Sequence, residues 1–358
     1  MYLCIKIEIS SIEQPTESME RTELNALGEF GLIDRIKSKF TRQNPETITG
    51  IGDDAAVIDL GNQYMLISTD MLLEGVHFDL AYAPLRHLGY KAVAVNVSDI
   101  AAMNGIAKQI TVSIGLSNRI SVEAVDEIYE GIRVACEDYK VDLVGGDTSA
   151  SRSGLVLSVT VTGLVDKDKI AYRNGAKAND ILCVTGDLGA AYFGLQILER
   201  EKQEYLSNPL MQPDLEEKSY LVGKQLKPEA RADIIHELAE AGVVPTAMID
   251  ISDGLASEII HISSQSGVGA LIFEDKLPIE DITMLTASEF NISPITAALN
   301  GGEDYQLLFT VKQADFDKIK NLSDITPIGY MTEDKAVELV LNNGSKASIK
   351  AQGWNHLQ

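Results

Sequence analysis

Cysteine, histidine and tryptophan are scarce in this 358-residue chain, which has three Cys, five His and one Trp. Cys4, Cys136 and Cys183 lie far apart, are odd in number and form no Cys-x-x-Cys pattern. That argues against a disulfide framework or a zinc site and fits a reducing cytosol. Basic residues are few as well. With 30 Lys and Arg against 53 Asp and Glu, the formal charge is −23. Non-specific nucleic-acid binding, which depends on cations meeting phosphates, is not expected, nor is attraction to anionic membranes. No apolar stretch approaches the ~20 residues needed to span a bilayer. Residues 1–20 lack the apolar segment of a secretory signal, so a cytoplasmic protein is expected. Familiar phosphate-binding signatures are missing: no G-x-x-x-x-G-K-[ST], no H-R-D with D-F-G, and no G-x-G-x-x-G after a strand. An EF-hand loop is missing too, which disfavours a calcium-binding or interaction module.

What is present is ample for two domains with substantial cores: 45% of residues are hydrophobic and 23% charged. The order of elements predicts an α/β (α+β type) protein of two domains, each a mixed sheet covered by helices. Residues 1–21 read as an N-terminal extension, 22–166 as a first domain and 167–358 as a second. The boundary falls where Lys, Asp, Gly and Asn crowd together in 166–179. In the first part, a helix is expected over Thr22–Lys39, interrupted near Gly28 and Gly31. Ala55–Ile58 and Tyr64–Ser68 read as strands paired around Gly61-Asn62. Tyr90–Met103 reads as a helix carrying Asn96 and Asp99 on one face. Ser121 is placed to cap a helix running to Tyr139. Val141–Val144 reads as a strand running into a turn at Gly145-Gly146-Asp147-Thr148. In the second part Pro228 is expected to open a helix that ends at Gly242. Thr185-Gly186-Asp187-Leu188-Gly189 reads either as an anion-binding helix start or as a tight turn with packing glycines.

One arrangement recurs: an apolar run, then a sharp turn bearing Asp. It appears at Gly50-Ile51-Gly52-Asp53-Asp54, Ser68-Thr69-Asp70, Gly146-Asp147 and Asp250-Ile251-Ser252-Asp253-Gly254, with Asp99 on an otherwise apolar helix. A single acidic turn is ordinary, because Asp favours turns on its own account. Repetition calls for a shared cause. Carboxylates brought together repel one another and need a cation or proton between them. Oxygen ligands without Cys or His favour a hard ion such as magnesium.

The ordered set Gly50–Ala56, Ser68–Asp70, Gly75-Val76-His77-Phe78, Tyr90-Lys91-Ala92, Asn96–Met103, Gly145–Thr148, Asp250–Gly254 and Gly301-Gly302-Glu303-Asp304-Tyr305 resembles the thiamine-monophosphate kinases. These belong to the superfamily that includes aminoimidazole ribonucleotide synthetase. The resemblance runs from about Gly28 to the C-terminus. It implies transfer of the ATP γ-phosphoryl group to the phosphate of thiamine monophosphate, giving thiamine diphosphate and ADP, assisted by several magnesium ions. The metal ligands it implies are Asp54, Ser68, Thr69, Asp70, Asp99, Asp147, Asp250 and Asp253. Tyr129, Gly146, Asp147, Arg173 and Ser252 match positions that contact ATP. His77, Glu303 and Trp354 match positions around the thiamine moiety, where the family commonly has Tyr in place of Trp354. A homodimer built from the N-terminal strands is implied as well.

The residue types agree with that chemistry. A phosphate monoester has a second pKa near ~6, so the acceptor oxygen is largely anionic at neutral pH and no general base is expected. Phosphoryl transfer needs positioning and charge neutralisation more than covalent help. Other synthetases of the superfamily are the alternative. Selenophosphate synthetases carry a reactive Cys or selenocysteine near the N-terminus, and Cys4 lies in no such motif. Hydrogenase-maturation relatives end in a functional Cys, whereas this chain ends His356-Leu357-Gln358.

Overall fold

Alternation of apolar and polar residues places Val156–Asp166 as a strand with one face in a core, and its burial follows that alternation residue by residue. The computed structural model describes residues 23–210, 213 and 215–351. Trp354, Cys4 and residues 1–22 lie outside the described residues. A separate unit contains a short 3-10 turn at Leu24–Ala26 and the helix α1, Gly28–Lys37. The interruption expected near Gly28 is present, where φ is +65°, whereas Gly31 lies within α1.

From Thr41 onward the described residues form one compact unit holding two sheets. The first is built from β1 (Thr47–Thr49), β2 (Ala56–Asp59), β3 (Gln63–Leu73), β4 (Ile106–Leu116), β5 (Asp142–Ala150) and β6 (Val156–Asp166), in the order β1-β2-β3-β6-β4-β5. Two helices accompany it, α2 (Leu85–Ala102) and α3 (Val122–Tyr139). The α2 helix packs on the inner face of β3, β4 and β6, and α3 packs on α2. Ser121 caps α3 as expected, its Oγ accepting the Ala124 N–H at 3.2 Å. The hairpin expected around Gly61-Asn62 is present, with β2 and β3 antiparallel.

A correction falls on Gly145–Thr148, which do not turn. They continue β5, an exposed edge strand paired with β4 alone and parallel to it. Gly146 is needed there for close strand approach: a Cβ would come 1.9 Å from the Val112 carbonyl oxygen.

The second sheet is built from β7 (Ile181–Thr185), β8 (Ala247–Asp250), β9 (Gly269–Phe273), β10 (Leu307–Val311), β11 (Ile325–Thr332), β12 (Val337–Val340) and β13 (Lys346–Ser348), ordered β13-β12-β9-β11-β7-β10-β8. It is accompanied by α4 (Ala190–Ser207), α5 (Ser219–Leu226), α6 (Ala232–Glu240), α7 (Leu255–Ser266), α8 (Asp281–Phe290), α9 (Pro294–Asn300) and α10 (Gln313–Ile319). The mixed α/β architecture is the one expected. Pro228 does not open a helix, however. The α6 helix begins at Ala232, because Arg231 turns its side chain inward onto Gln306, Asp233 and Asp324. At the Gly186–Gly189 loop, the anion over the start of α4 is the chain's own Asp304, whose two carboxylate oxygens accept the Gly189 N–H at 3.1 and 3.0 Å. No helix among the described residues is long and apolar enough to cross a membrane.

Candidate active site

The α2 helix is buried almost all round, yet it carries Lys91, Asn96, Ser98 and Asp99. A buried polar side chain is stable only with partners, and each of these finds one on another element. The Asn96 carbonyl oxygen accepts the Asp70 N–H at 3.1 Å. Ser98 donates to Asp250 at 2.6 Å, and Ser68 donates to Asp99 at 2.5 Å. Lys91 donates to the Gln225 carbonyl at 3.2 Å and forms an ion pair with Glu303. The helix thereby holds β3 and the end of β8 around one point.

At that point Asp54, Asp99 and Asp250 bring carboxylate oxygens within 4.8 Å of one another. Asp54 is held by Arg173, whose Nη2 and Nε donate to the same oxygen at 2.5 and 3.2 Å. Its other oxygen is buried and has no hydrogen-bond partner. Asp53 accepts the backbone N–H groups of Asp54 at 3.0 Å and of Arg173 at 3.3 Å. Burial, reinforced by the Asp54 charge, pushes Asp53 up to about 7. Asp70 rises to about 6 through burial and the charges of Glu303 and Asp54. Asp250 rises to about 7, again chiefly through burial and then Asp54. Asp99 is driven well above the usual carboxylate range by burial and by Asp70, Asp250 and Asp54. Like charges share this space, so protons or cations must enter with them.

The loop after β8 completes one wall. Glu303 donates its N–H to the Ser252 carbonyl at 2.7 Å. This contact requires Gly302 beside it, where φ is +69° and a Cβ would lie 2.6 Å from the Ser252 oxygen. The Asp253 N–H is held by the buried Glu258 at 3.1 Å. His77 accepts the Leu73 N–H at 3.1 Å and lines a small cavity with Lys91 and Gln225.

The residues singled out from the sequence thus divide. Asp54, Asp70, Asp99 and Asp250 converge, with Ser68 and Arg173 bonded into the group. Glu303 adjoins them through its effect on Asp70, and Ser252 through the loop. Thr69 points its hydroxyl away, donating to the Val159 carbonyl at 2.9 Å. Asp147 stands apart on the exposed strand β5. Tyr129 lies on α3, in a groove it shares with Asp142 and Leu143 of the same strand. Asp53, Lys91, Ser98, Gln225 and Glu258 were not singled out for a role. For Lys91 and Ser98 a signal existed: polar residues interrupting an apolar helix on the Asn96–Asp99 side. Gln225 gave none.

Comparison with known proteins agrees with this geometry. Residues 52–165 match the family model described as AIR synthase related protein, N-terminal domain, and 177–342 match its C-terminal domain. The thiamine-monophosphate kinase of Aquifex aeolicus is 36% identical over 333 residues, covering 93% of this chain and 99% of that protein. The Bacillus subtilis thiamine-monophosphate kinase is 34% identical, covering 93% of this chain and all of that protein. This chain belongs to the thiamine-monophosphate kinase family. Among solved structures, one described as AaThiL complexed with AMPPCP and TMP superimposes with a TM-score of 0.82 at 34% identity, over 94% of this chain and 99% of that one. The mixed two-sheet fold is shared with it.

Proposed function

We propose that this chain transfers the γ-phosphoryl group of ATP to the phosphate of thiamine monophosphate, releasing ADP and thiamine diphosphate, in the cytoplasm. The carrying observation is the meeting of Asp54, Asp99 and Asp250, with Asp70 close enough to act on their charges, in a member of this family. Around it, Asp53 and Glu303 add further acid, while Arg173 and Lys91 supply the opposing charge. Such a set suits magnesium. Its donors are all oxygen, and the unpartnered Asp54 oxygen is one that a cation would satisfy. Asp54, Asp70, Asp99 and Asp250, with Ser68 beside Asp99, would hold the ions, and Asp253 would join from the neighbouring loop. Bound magnesium supplies neutralisation between two phosphate-bearing molecules.

The chain's own groups do the positioning. Arg173 has a guanidinium edge already fixed on Asp54, which orients its fork for phosphate oxygens. Ser252 faces the same wall as a nucleotide contact. Glu303 offers a negative charge to the cationic thiazolium, and His77 lies on the same side. No residue is assigned as a general base, because the acceptor phosphate is largely anionic at pH 7.

The reading includes a homodimer. The ATP-contact positions fall in two groups: Arg173 and Ser252 beside the aspartates, and Tyr129, Gly146 and Asp147 along α3 and β5. The register Asp70–Val159–Val112–Gly146 puts three strand spacings, about 14 Å, between Asp70 and the position next to Asp147. Ligand oxygens on one magnesium ion lie within about 4.2 Å of each other. A second copy of the chain, laid on β5 and the outer face of the first sheet, would supply its Asp147 to the cluster. Residues 22–166 and 167–358 would then act as the nucleotide-and-dimer half and the substrate-completing half.

An ADP-coupled assay with MgATP and thiamine monophosphate, thiamine or the open-chain ribonucleotide precursor of aminoimidazole ribonucleotide tests the reaction. ADP release with thiamine monophosphate alone is the expected result. Release only with that precursor would assign the chain to another synthetase of the superfamily.

A further inference from the structure

Gln225 on α5 is 7% exposed, and its side-chain Oε1 is buried with no hydrogen-bond partner. A buried carbonyl oxygen left unpaired is unfavourable, and in a native site it calls for a ligand or an ordered water. It lines a small cavity with apolar walls from Phe78, Leu88 and Leu226, into which His77 and Lys91 also face. Lys91 connects this cavity to the aspartates: it bonds the Gln225 backbone carbonyl on one side and Glu303 on the other. Glu303 in turn lies close enough to Asp70 to raise its pKa. The groups therefore run in sequence from the aspartates to Glu303, to Lys91, to Gln225.

A substrate with its phosphate at the aspartates and its thiazolium beside Glu303 would extend its remaining ring toward Gln225. That ring in thiamine is a 4-aminopyrimidine, whose exocyclic N–H donor stands beside a ring-nitrogen acceptor. A carboxamide presents the complementary acceptor and donor, which is how Gln pairs with the amino edge of adenine. The cavity measures about 20 Å³, room for one amino group or one water, so the exocyclic amino group of such a ring would enter it in place of a water. We infer that the Gln225 carboxamide is a specificity-determining contact for the aminopyrimidine edge of thiamine monophosphate. This rests on the function proposed above.

The test compares kcat/KM for thiamine monophosphate and for its 4′-deamino analogue, in the native enzyme and in Gln225→Met. Loss of a buried pairing predicts that the native enzyme favours thiamine monophosphate by about tenfold or more. In Gln225→Met the KM for thiamine monophosphate should rise by about tenfold with kcat within about twofold, and the preference over the analogue should fall to near unity. Equal kcat/KM for both substrates in the native enzyme would overturn the inference, leaving a cavity that holds only water. A preference that survives in Gln225→Met would overturn it as well. Should that variant not fold, the native pair of measurements decides alone. A native enzyme inactive with both substrates removes the kinase reading itself, which is a different outcome.

Discussion

The two sheets are built on opposite plans. In the second, β8 and β10 are buried at every residue, and their sequences, Ala-Met-Ile-Asp and Leu-Leu-Phe-Thr-Val, are nearly continuous apolar runs. Such strands are covered on both faces. In the first, β6 alternates strictly, and the residues on its outer face, Ser158, Thr160 and Thr162, stay half-exposed. On the same face of β3, Thr69 and Met71 are exposed, and β5 is exposed along its whole length, Leu143 and Val144 included. A closed sheet gives the site a rigid wall, and Asp250 sits at the end of one of its strands. An open sheet gives it Asp70 on the inner face and leaves the outer face exposed. The acidic cluster lies where the closed plan meets the inner face of the open one.

If that division holds, the inner cluster should carry the chemistry independently of stability. Asp70→Asn is expected to lower kcat/KM by about 10²-fold or more, the scale seen when one electrostatic contact to a transition state is removed. Its melting temperature without metal should stay level or rise, because the substitution removes a buried like charge that presses on Asp99. Activity retained in Asp70→Asn would remove the proposed metal site.

The open side makes a different demand. Asp70→Asn and Asp147→Asn, each inactive alone, are expected to regain about a quarter of native activity when co-expressed, since half of randomly formed dimers are mixed and each mixed dimer has one intact site. Were Asp147 to act within its own chain, co-expression would restore nothing. A smaller effect is expected from Thr160→Lys, on the outer face and remote from Asp54. It should shift the chain toward monomer in sedimentation without loss of secondary structure, because unpaired charges facing each other across an interface are costly. An unchanged dimer would place the interface elsewhere.

Much of this was legible in the sequence, for physical reasons. Strands buried on one face alternate, helices against a core repeat every three to four residues, and Asp54, Asp70, Asp99 and Asp250 ended or interrupted apolar runs. What escaped depended on distant contacts. Glycines at 145 and 146 look like a turn, and only the approach of Val112 shows why a strand needs Gly146. Pro228 has the credentials of a helix start, but Arg231 is drawn inward by Gln306 and Asp324, and the helix waits until Ala232. The helices α8 and α9, over 281–300, had no distinct expectation. Thr69 and Asp70 are adjacent in sequence, so they face opposite sides of β3, and nothing in a motif separates them. Asp147 shares its glycine-and-acid setting with the others and lies three strands away.

The smallest effect is the most diagnostic of the cluster's electrostatics. Burial and neighbouring acids raise Asp53 and Asp250 to about 7 and Asp70 to about 6, from a carboxylate's usual value of 3.8. In the unfolded chain these groups lose their protons near pH ~4. Between that pH and about 7, the folded protein therefore binds more protons than the unfolded one, and stability falls as pH rises. The stabilisation held at pH 5 is lost through pH 6 to 7 when no cation is present. Magnesium competes with those protons, so it should add little at pH 5.5 and raise the melting temperature by a few degrees at pH 8. Asp70→Asn should shrink this difference, since one of the titrating groups is gone, whereas Thr160→Lys on the outer face should leave it intact. An equal magnesium effect at both pH values would mean that the carboxylates are already ionised and balanced by Arg173 and Lys91 alone.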